Sequence, residues 1–242
     1  MTNKTLSPLE IRHYTKQIMI PEIGIQGQEK LKQARVLVIG AGGLGCPSLQ
    51  YLTAAGVGKI GIVEFDSVDE SNLQRQILYG SNDIGKLKSI IAKERLEHLN
   101  PLVEFEVYNL KFSSSNALDI LKDYDLVIDA TDNTETRYII NDVSVSLGKP
   151  MVHGSIFKYE AVISVFNFNG GPSYTKYNPQ NASDFKNPAP MAVGLFGVLP
   201  GIAGTYMANE AIKIITGHGE VLSGKILLIN ILRNTFNVFY VK

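Results

Sequence analysis

The chain has 242 residues, 45% of them hydrophobic, enough for a sizeable core in one large domain. Lys plus Arg and Asp plus Glu number 23 each, so net charge gives no case for a nucleic-acid or membrane surface. The single cysteine, Cys46, excludes an internal disulfide framework and any multi-thiolate metal site; no apolar run is long enough to span a membrane and MTNKTLSPLE lacks a secretion-signal core, so the cytoplasm is the expected compartment.

From the start, Ser7-Pro8-Leu9-Glu10 reads as a capping box with Pro in the first helical position, predicting one helix to about Gln17 that carries Arg12, His13 and Lys16. A second short helix after Gly27, with Leu31 inward, completes a helical arm over residues 1–33 and delivers the chain to a strand.

Val36 to Gly45 reads VLVIGAGGLG, an apolar strand running into Gly40-x-Gly42-x-x-Gly45 and then a helical pattern over Leu44 to Ala55. Glycines let such a turn adopt forbidden backbone angles and let a phosphate approach the main chain, while free helix N–H groups face the anion. Gly40, Gly42, Gly43 and Gly45 are therefore candidate nucleotide contacts, although the same pattern serves dehydrogenases and other phosphate binders. Gly56-Val57-Gly58 stops the helix before a strand at Lys59 to Val63, whose end carries Glu64, a candidate acceptor for ribose hydroxyls, and Asp66.

Next, Ser71-Asn72-Leu73-Gln74-Arg75-Gln76 and Gly85-Lys86-Leu87-Lys88, which opens another helix, bring amides, a guanidinium and an ammonium toward the nucleotide. Hydride transfer has no use for such a cluster, whereas a polyphosphate undergoing displacement does. After a strand at Val103 to Val107 and a short helix from Ser115, the continuous apolar run Leu126 to Ile128 reads as a strand buried on both faces, its carboxyl end beside the glycine turn. It leads into Asp129-Ala130-Thr131-Asp132-Asn133, where Asp132 is a candidate Mg2+ ligand and Asp129 a candidate cap for the following helix.

Toward the end, Glu160 to Asn167, Gly224 to Asn230 and Thr235 to Tyr240 are expected to form antiparallel strands. Gly170 to Pro190 has the composition of a loop, and Leu199 to Ile215 that of a long apolar helix in which Gly201 and Gly204 allow close packing. The fold class is therefore α/β, a Rossmann-like, doubly wound, mostly parallel sheet with C-terminal antiparallel strands.

The glycine turn, SNLQRQ, Lys88, DATDN and GLFGVLPGIAGTYMANEAIK (Gly194 to Lys213) occur together in an order and spacing that resembles the MoeB/ThiF/HesA family, the bacterial relatives of ubiquitin-activating enzymes. The resemblance covers nearly the whole chain. It implies a single adenylating domain over 1–242, with an arm (1–33), a nucleotide-binding core (34–155) and a carrier-binding part (156–242) that includes the loop 170–190. The implied reaction is ATP-dependent adenylation of the C-terminal Gly-Gly carboxylate of a ubiquitin-like sulfur carrier in thiamine, molybdopterin or related sulfur-transfer biosynthesis, releasing pyrophosphate. Carried over by position, Arg75, Lys88 and Asp132 act catalytically, Asp132 holds Mg2+, Glu64 meets the ribose, Asn72 the phosphates, and Gly40 and Gly42 let the α-phosphate approach; Gly43, Gly45, Asp66, Gln76 and Asn133 are candidate ATP contacts beside them. Family members resemble one another in being homodimers, in which a basic residue of the arm, here Lys16, crosses to the partner's ATP. Ser173-Tyr174-Thr175-Lys176 stands where relatives often carry the first CxxC pair and Pro190 where many carry a cysteine, so neither zinc nor a catalytic cysteine is expected and an external sulfur donor is implied. Phe157, Tyr159 and Phe168 are candidates to line the carrier's groove. Adenylation of a peptide or modified tRNA carboxylate, a catalytically idle carrier-binding scaffold and an NAD-dependent dehydrogenase are the alternatives.

Overall fold

The structure, a computed structural model, describes residues 5–179 and 194–241. Its strands are β1 (Arg35–Ile39), β2 (Lys59–Val63), β3 (Glu104–Tyr108), β4 (Leu126–Asp129), β5 (Met151–Phe157), β6 (Glu160–Phe166), β7 (Lys225–Asn230) and β8 (Thr235–Tyr240). They form one sheet in the order β3-β2-β1-β4-β5-β6-β7-β8. The first five are parallel and β6, β7 and β8 are antiparallel. The helices are α1 (Pro8–His13), α2 (Thr15–Ile18), α3 (Gly24–Gln33), α4 (Gly45–Ala55), α5 (Lys88–Leu99), α6 (Ala117–Leu121), α7 (Thr134–Leu147), α8 (Tyr174–Tyr177) and α9 (Val198–Thr216). This is the doubly wound sheet expected, with its antiparallel end.

The alternation of side chains along β1 divides the core in two. Val36 and Val38 point to the face covered by α4, α5 and α9, where Leu49, Leu52, Leu96, Leu199 and Met207 are buried. Leu37 and Ile39 point to the opposite face, filled by Leu121, Tyr124, Tyr138 and Ile140. Because both faces of β1 and β4 are covered, those strands read as continuous apolar runs. The chain reverses direction across the sheet between β1 and β4, and that switch point leaves a crevice at their carboxyl ends.

Three expectations are corrected and one strand is added. The capping box at Ser7 is present, but the helix predicted to Gln17 is two helices, because Tyr14 turns inward between them. Its hydroxyl accepts from Asn100 Nδ2 at 2.8 Å, and its ring lies where a side chain on Gly56 would be, 2.5 Å from a Cβ there. Met151–Phe157 is an additional strand, β5, paired in parallel with β4. The loop predicted over 170–190 contains α8, capped by Ser173, with Tyr174 buried; the rest of that loop from residue 180, including Pro190, lies outside the described residues. In α9, Gly204 does allow close packing, since a Cβ there would meet Leu44 O at 2.3 Å, but nothing lies within 4 Å of one on Gly201. Among the described residues no helix is long and apolar enough to cross a membrane.

Candidate functional site

The glycine turn is built into the crevice by contacts that tolerate no side chain. Gly40 has φ +94°, and a Cβ on it would lie 2.7 Å from Ala130 O at the end of β4. A Cβ on Gly45, the first residue of α4, would lie 2.0 Å from Gly40 O. Gly43 is seated against Pro200 of α9, at 3.1 Å from its would-be Cβ. Gly42 differs: a Cβ on it would find only the Gln76 amide, at 3.5 Å, so its protein surroundings alone do not demand glycine. Close approach of a ligand to the main chain is the remaining physical reason for glycine there.

Glu64 follows β2 and is buried. One carboxylate oxygen accepts from Ala41 N at 2.9 Å, and the other from Phe65 N at 2.8 Å and Asp66 N at 2.9 Å. One of these bonds ties Glu64 to the glycine turn and two hold it to the residues that follow it, so about one of its roughly four acceptor directions is left for a ribose hydroxyl. Asp66 is exposed and pairs with Lys88 Nζ at 3.3 Å. Lys88 is only 4% exposed and opens α5, where the free N–H groups already make the local potential positive. A buried cation at a helix N-terminus, opposite one solvated carboxylate, is a place for a further anion. Lys88→Met should keep or raise Tm, since an apolar group of similar length removes a buried charge, while weakening ATP binding by about 10- to 100-fold; thermal unfolding and isothermal titration check the two halves.

Asn72 ends a 3-10 segment, Glu70–Asn72, and Arg75 sits on the turn that follows it. Arg75 is half-buried, with its Nη1 donating to Ser71 O at 2.9 Å and its Cδ 3.8 Å from the Cβ position of Gly43. The backbone carbonyl of Asn72 accepts from Arg75 N and Gln76 N. Gln76 is buried beside Gly42, and its Oε1 has no partner among the described residues. Lys16 is exposed on α2 and its side chain has no hydrogen bond or ion pair with a described residue, so the structure does not bring it to the turn.

At the end of β4, Asp129 is not the helix cap expected of it. The cap of α7 is Asn133, whose Oδ1 accepts from Thr136 N at 2.9 Å. Asp129 is wholly buried: Oδ1 accepts from Thr131 Oγ1 at 2.6 Å and Thr131 N at 3.1 Å, and Oδ2 from His153 Nδ1 at 2.6 Å. Asp132, three residues on, is exposed and has no hydrogen bond or ion pair with a described residue. One free carboxylate suits Mg2+, which binds through one or two carboxylates together with phosphate oxygens and water. Among the described residues no group of three or more His, Cys, Asp and Glu could form an all-protein metal site.

Burial opposes the charge on Asp129, but the hydrogen bond from His153, the nearby charges and Thr131 outweigh it and hold the carboxyl below its usual range. Burial also depresses the His153 pKa, so the imidazole is neutral with its proton on Nδ1 toward Asp129. An unfolded chain takes up that proton near pH 6.5, whereas the folded chain resists it to lower pH. Stability should therefore fall as pH drops below about 6.5, and chemical denaturation across pH 5 to 7 should show a shallower slope in His153→Asn.

Sequence reasoning missed His153, Arg137 and Tyr79. Tyr79 donates to Ala41 O at 2.8 Å and braces the turn. A histidine after Met151-Val152, next to an apolar run, is a visible signal only to a reading that recognises β5 as a strand; Tyr79 has none. Cys46 is buried on α4, and burial pushes its thiol up to about 12, the state of a packing residue and not of a nucleophile.

A glycine turn at a topological switch point, with buried Lys88, Arg75 and an unpaired Asp132 around it, defines a nucleotide-binding α/β domain of the doubly wound class. The chain belongs to the ThiF family, whose model matches residues 14–242. It is 46% identical over 238 residues to the sulfur carrier protein adenylyltransferase of Thermus thermophilus, covering 96% of this chain and 88% of that protein. It is 45% identical to the adenylyltransferase and sulfurtransferase MOCS3 of Aedes aegypti, covering 94% of this chain but only 52% of that protein. The crystal structure of Escherichia coli MccB with ATP superposes with a TM-score of 0.80 at 22% identity, over 89% of this chain and 66% of MccB, and so shares the fold.

Proposed function

We propose that this chain is an ATP-dependent adenylyltransferase that activates the C-terminal Gly-Gly carboxylate of a ubiquitin-like sulfur carrier, forming the acyl-adenylate and pyrophosphate. The observation that carries the reading is the buried Lys88 ammonium, whose one ion pair among the described residues is with the solvated Asp66 at 3.3 Å. A polyphosphate supplies the charge this site lacks. The α-phosphate lies against Gly40 and Gly42, where no side chain intervenes, and Glu64 offers its remaining acceptor direction to the ribose. Arg75 and Lys88 neutralise charge that develops as the carrier's carboxylate attacks the α-phosphorus, with Asn72 and Gln76 as polar neighbours. That carboxylate is ionised at neutral pH, so the chain needs no general base; its task is alignment and charge stabilisation. Asp132 would hold Mg2+, which would supply charge screening of the phosphate oxygens and so favour pyrophosphate as the leaving group.

The carrier docks on the part 156–242. Phe157, Tyr159, Phe236, Val238 and Phe239 are large apolar residues left exposed on β5, β8 and the β5–β6 turn, whereas Phe168 packs against the core. A second copy of the chain brings its Lys16 to the ATP site, consistent with a basic side chain on the arm that has no hydrogen bond or ion pair among the described residues. With Cys46 buried, sulfur enters from an external donor after adenylation. The test is ATP–pyrophosphate exchange with and without Gly-Gly-ending carriers from the same cell. Exchange that requires one carrier supports the reading and names its pathway; ATP binding without exchange for any carrier, or exchange driven by a peptide or tRNA instead, overturns it.

A further inference from the structure

Three side chains converge on the turn that presents Asp132. Asp129 Oδ1 holds both the N–H and the hydroxyl of Thr131. Arg137 Nη2, reaching back from α7, donates to Thr131 O at 3.1 Å, and its Nε lies 4.0 Å from Asp129 Oδ2. His153 Nδ1, from the neighbouring β5, fixes that same Oδ2 at 2.6 Å. The imidazole is packed between Phe166 and Tyr174, with ring centroids 5.9 and 5.0 Å away, and cannot swing out to solvent.

Thr131 is therefore gripped at its amide, hydroxyl and carbonyl, while Ala130 N continues the ladder to Ile39 O at 3.0 Å and Asn133 caps α7. Residues on either side of Asp132 are fixed, and its own carboxylate is the group left pointing outward without a protein partner. Loops that carry ligands to a metal lose precision unless a supporting shell orients them.

We infer that Asp129, His153 and Arg137 are positioning residues that lock the Thr131–Asp132 peptide, and so set the direction in which Asp132 meets the metal and phosphates of a bound nucleotide. None of the three touches the reacting atoms. The consequence for turnover rests on the adenylation reading above, but the lock itself does not. His153→Leu removes the donor to Asp129, His153→Asn returns an amide donor close to the position of Nδ1, and Arg137→Met frees the Thr131 carbonyl.

The test uses the full chain and two readouts, with far-UV circular dichroism and Tm confirming that each variant is folded. Amide hydrogen exchange, followed by NMR, should show protection at Thr131 falling by about tenfold in His153→Leu and in Arg137→Met, and returning in His153→Asn. In carrier-dependent pyrophosphate exchange, kcat should fall by about 10- to 100-fold in His153→Leu with KM for ATP nearly unchanged, and recover in His153→Asn. Unchanged protection of Thr131 in both disrupting variants overturns the lock. Equal loss in His153→Leu and His153→Asn also overturns it, because the effect then follows packing and not the hydrogen bond. If the wild-type chain exchanges no pyrophosphate with any carrier, the adenylation reading fails while the amide-exchange result still decides the lock.

Discussion

Asp132→Ala should lower carrier-dependent kcat by about 10² to 10³, a loss of roughly 3 to 4 kcal/mol of transition-state stabilisation, as expected when one preorganised electrostatic group is removed from a displacement at phosphorus. The structure makes this variant unusually clean. Asp132 is exposed and bonded to no described residue, while the neighbouring backbone is held through Thr131 and Asn133, so truncation leaves the turn in place. Tm should be unchanged within experimental scatter, and ATP binding measured without Mg2+ should survive. A variant that exchanges pyrophosphate at the wild-type rate would remove Asp132 from the mechanism.

Gly45→Ala should cost the most stability of the substitutions in the glycine turn. The added Cβ would lie 2.0 Å from Gly40 O and 2.8 Å from Gly40 C, both main-chain atoms that no rotamer change can move aside. The turn and the first residue of α4 must separate, at about 3 kcal/mol by the usual scale for overpacking a tight contact, or about 6 to 12 °C in Tm for a chain of this size. Gly42→Ala is the control. Its Cβ meets only the Gln76 amide at 3.5 Å, so it should fold with nearly wild-type stability and lose ATP affinity alone. Calorimetry and ATP titration on the pair separate a glycine kept for packing from one kept for the ligand; equal stability losses would contradict that division.

Much of the fold, and the residues of the candidate site, can be picked out in the amino-acid sequence. The strand at Lys59 to Val63 is readable to its ends, and β1, α4, β4 and the antiparallel end can be found, because buried parallel strands are apolar on both faces and glycine punctuates their connections. Asp132, Lys88 and Arg75 stand out because their chemistry does not suit hydride transfer. What stays hidden depends on distance along the chain. Asp129 looks like a local helix cap, yet its partner is His153, 24 residues away on a strand that the sequence pattern does not reveal. Tyr14 breaks the arm because of Asn100 and Gly56, neither of which is adjacent to it. Gly201 and Gly204 look alike in sequence, and only the packing of α9 on α4 separates them.

The central claim is that this chain transfers AMP to a carrier's terminal carboxylate, and intact mass of the carrier tests it most directly. Incubated with the chain, ATP, Mg2+ and pyrophosphatase, a Gly-Gly-ending carrier should gain the mass of one AMP less water, and lose it on treatment with hydroxylamine. The adduct should be absent with Asp132→Ala over the same interval. A carrier that stays unmodified while the chain binds ATP would contradict the account, as would an adduct found on Cys46 of the chain instead of on the carrier as its adenylate.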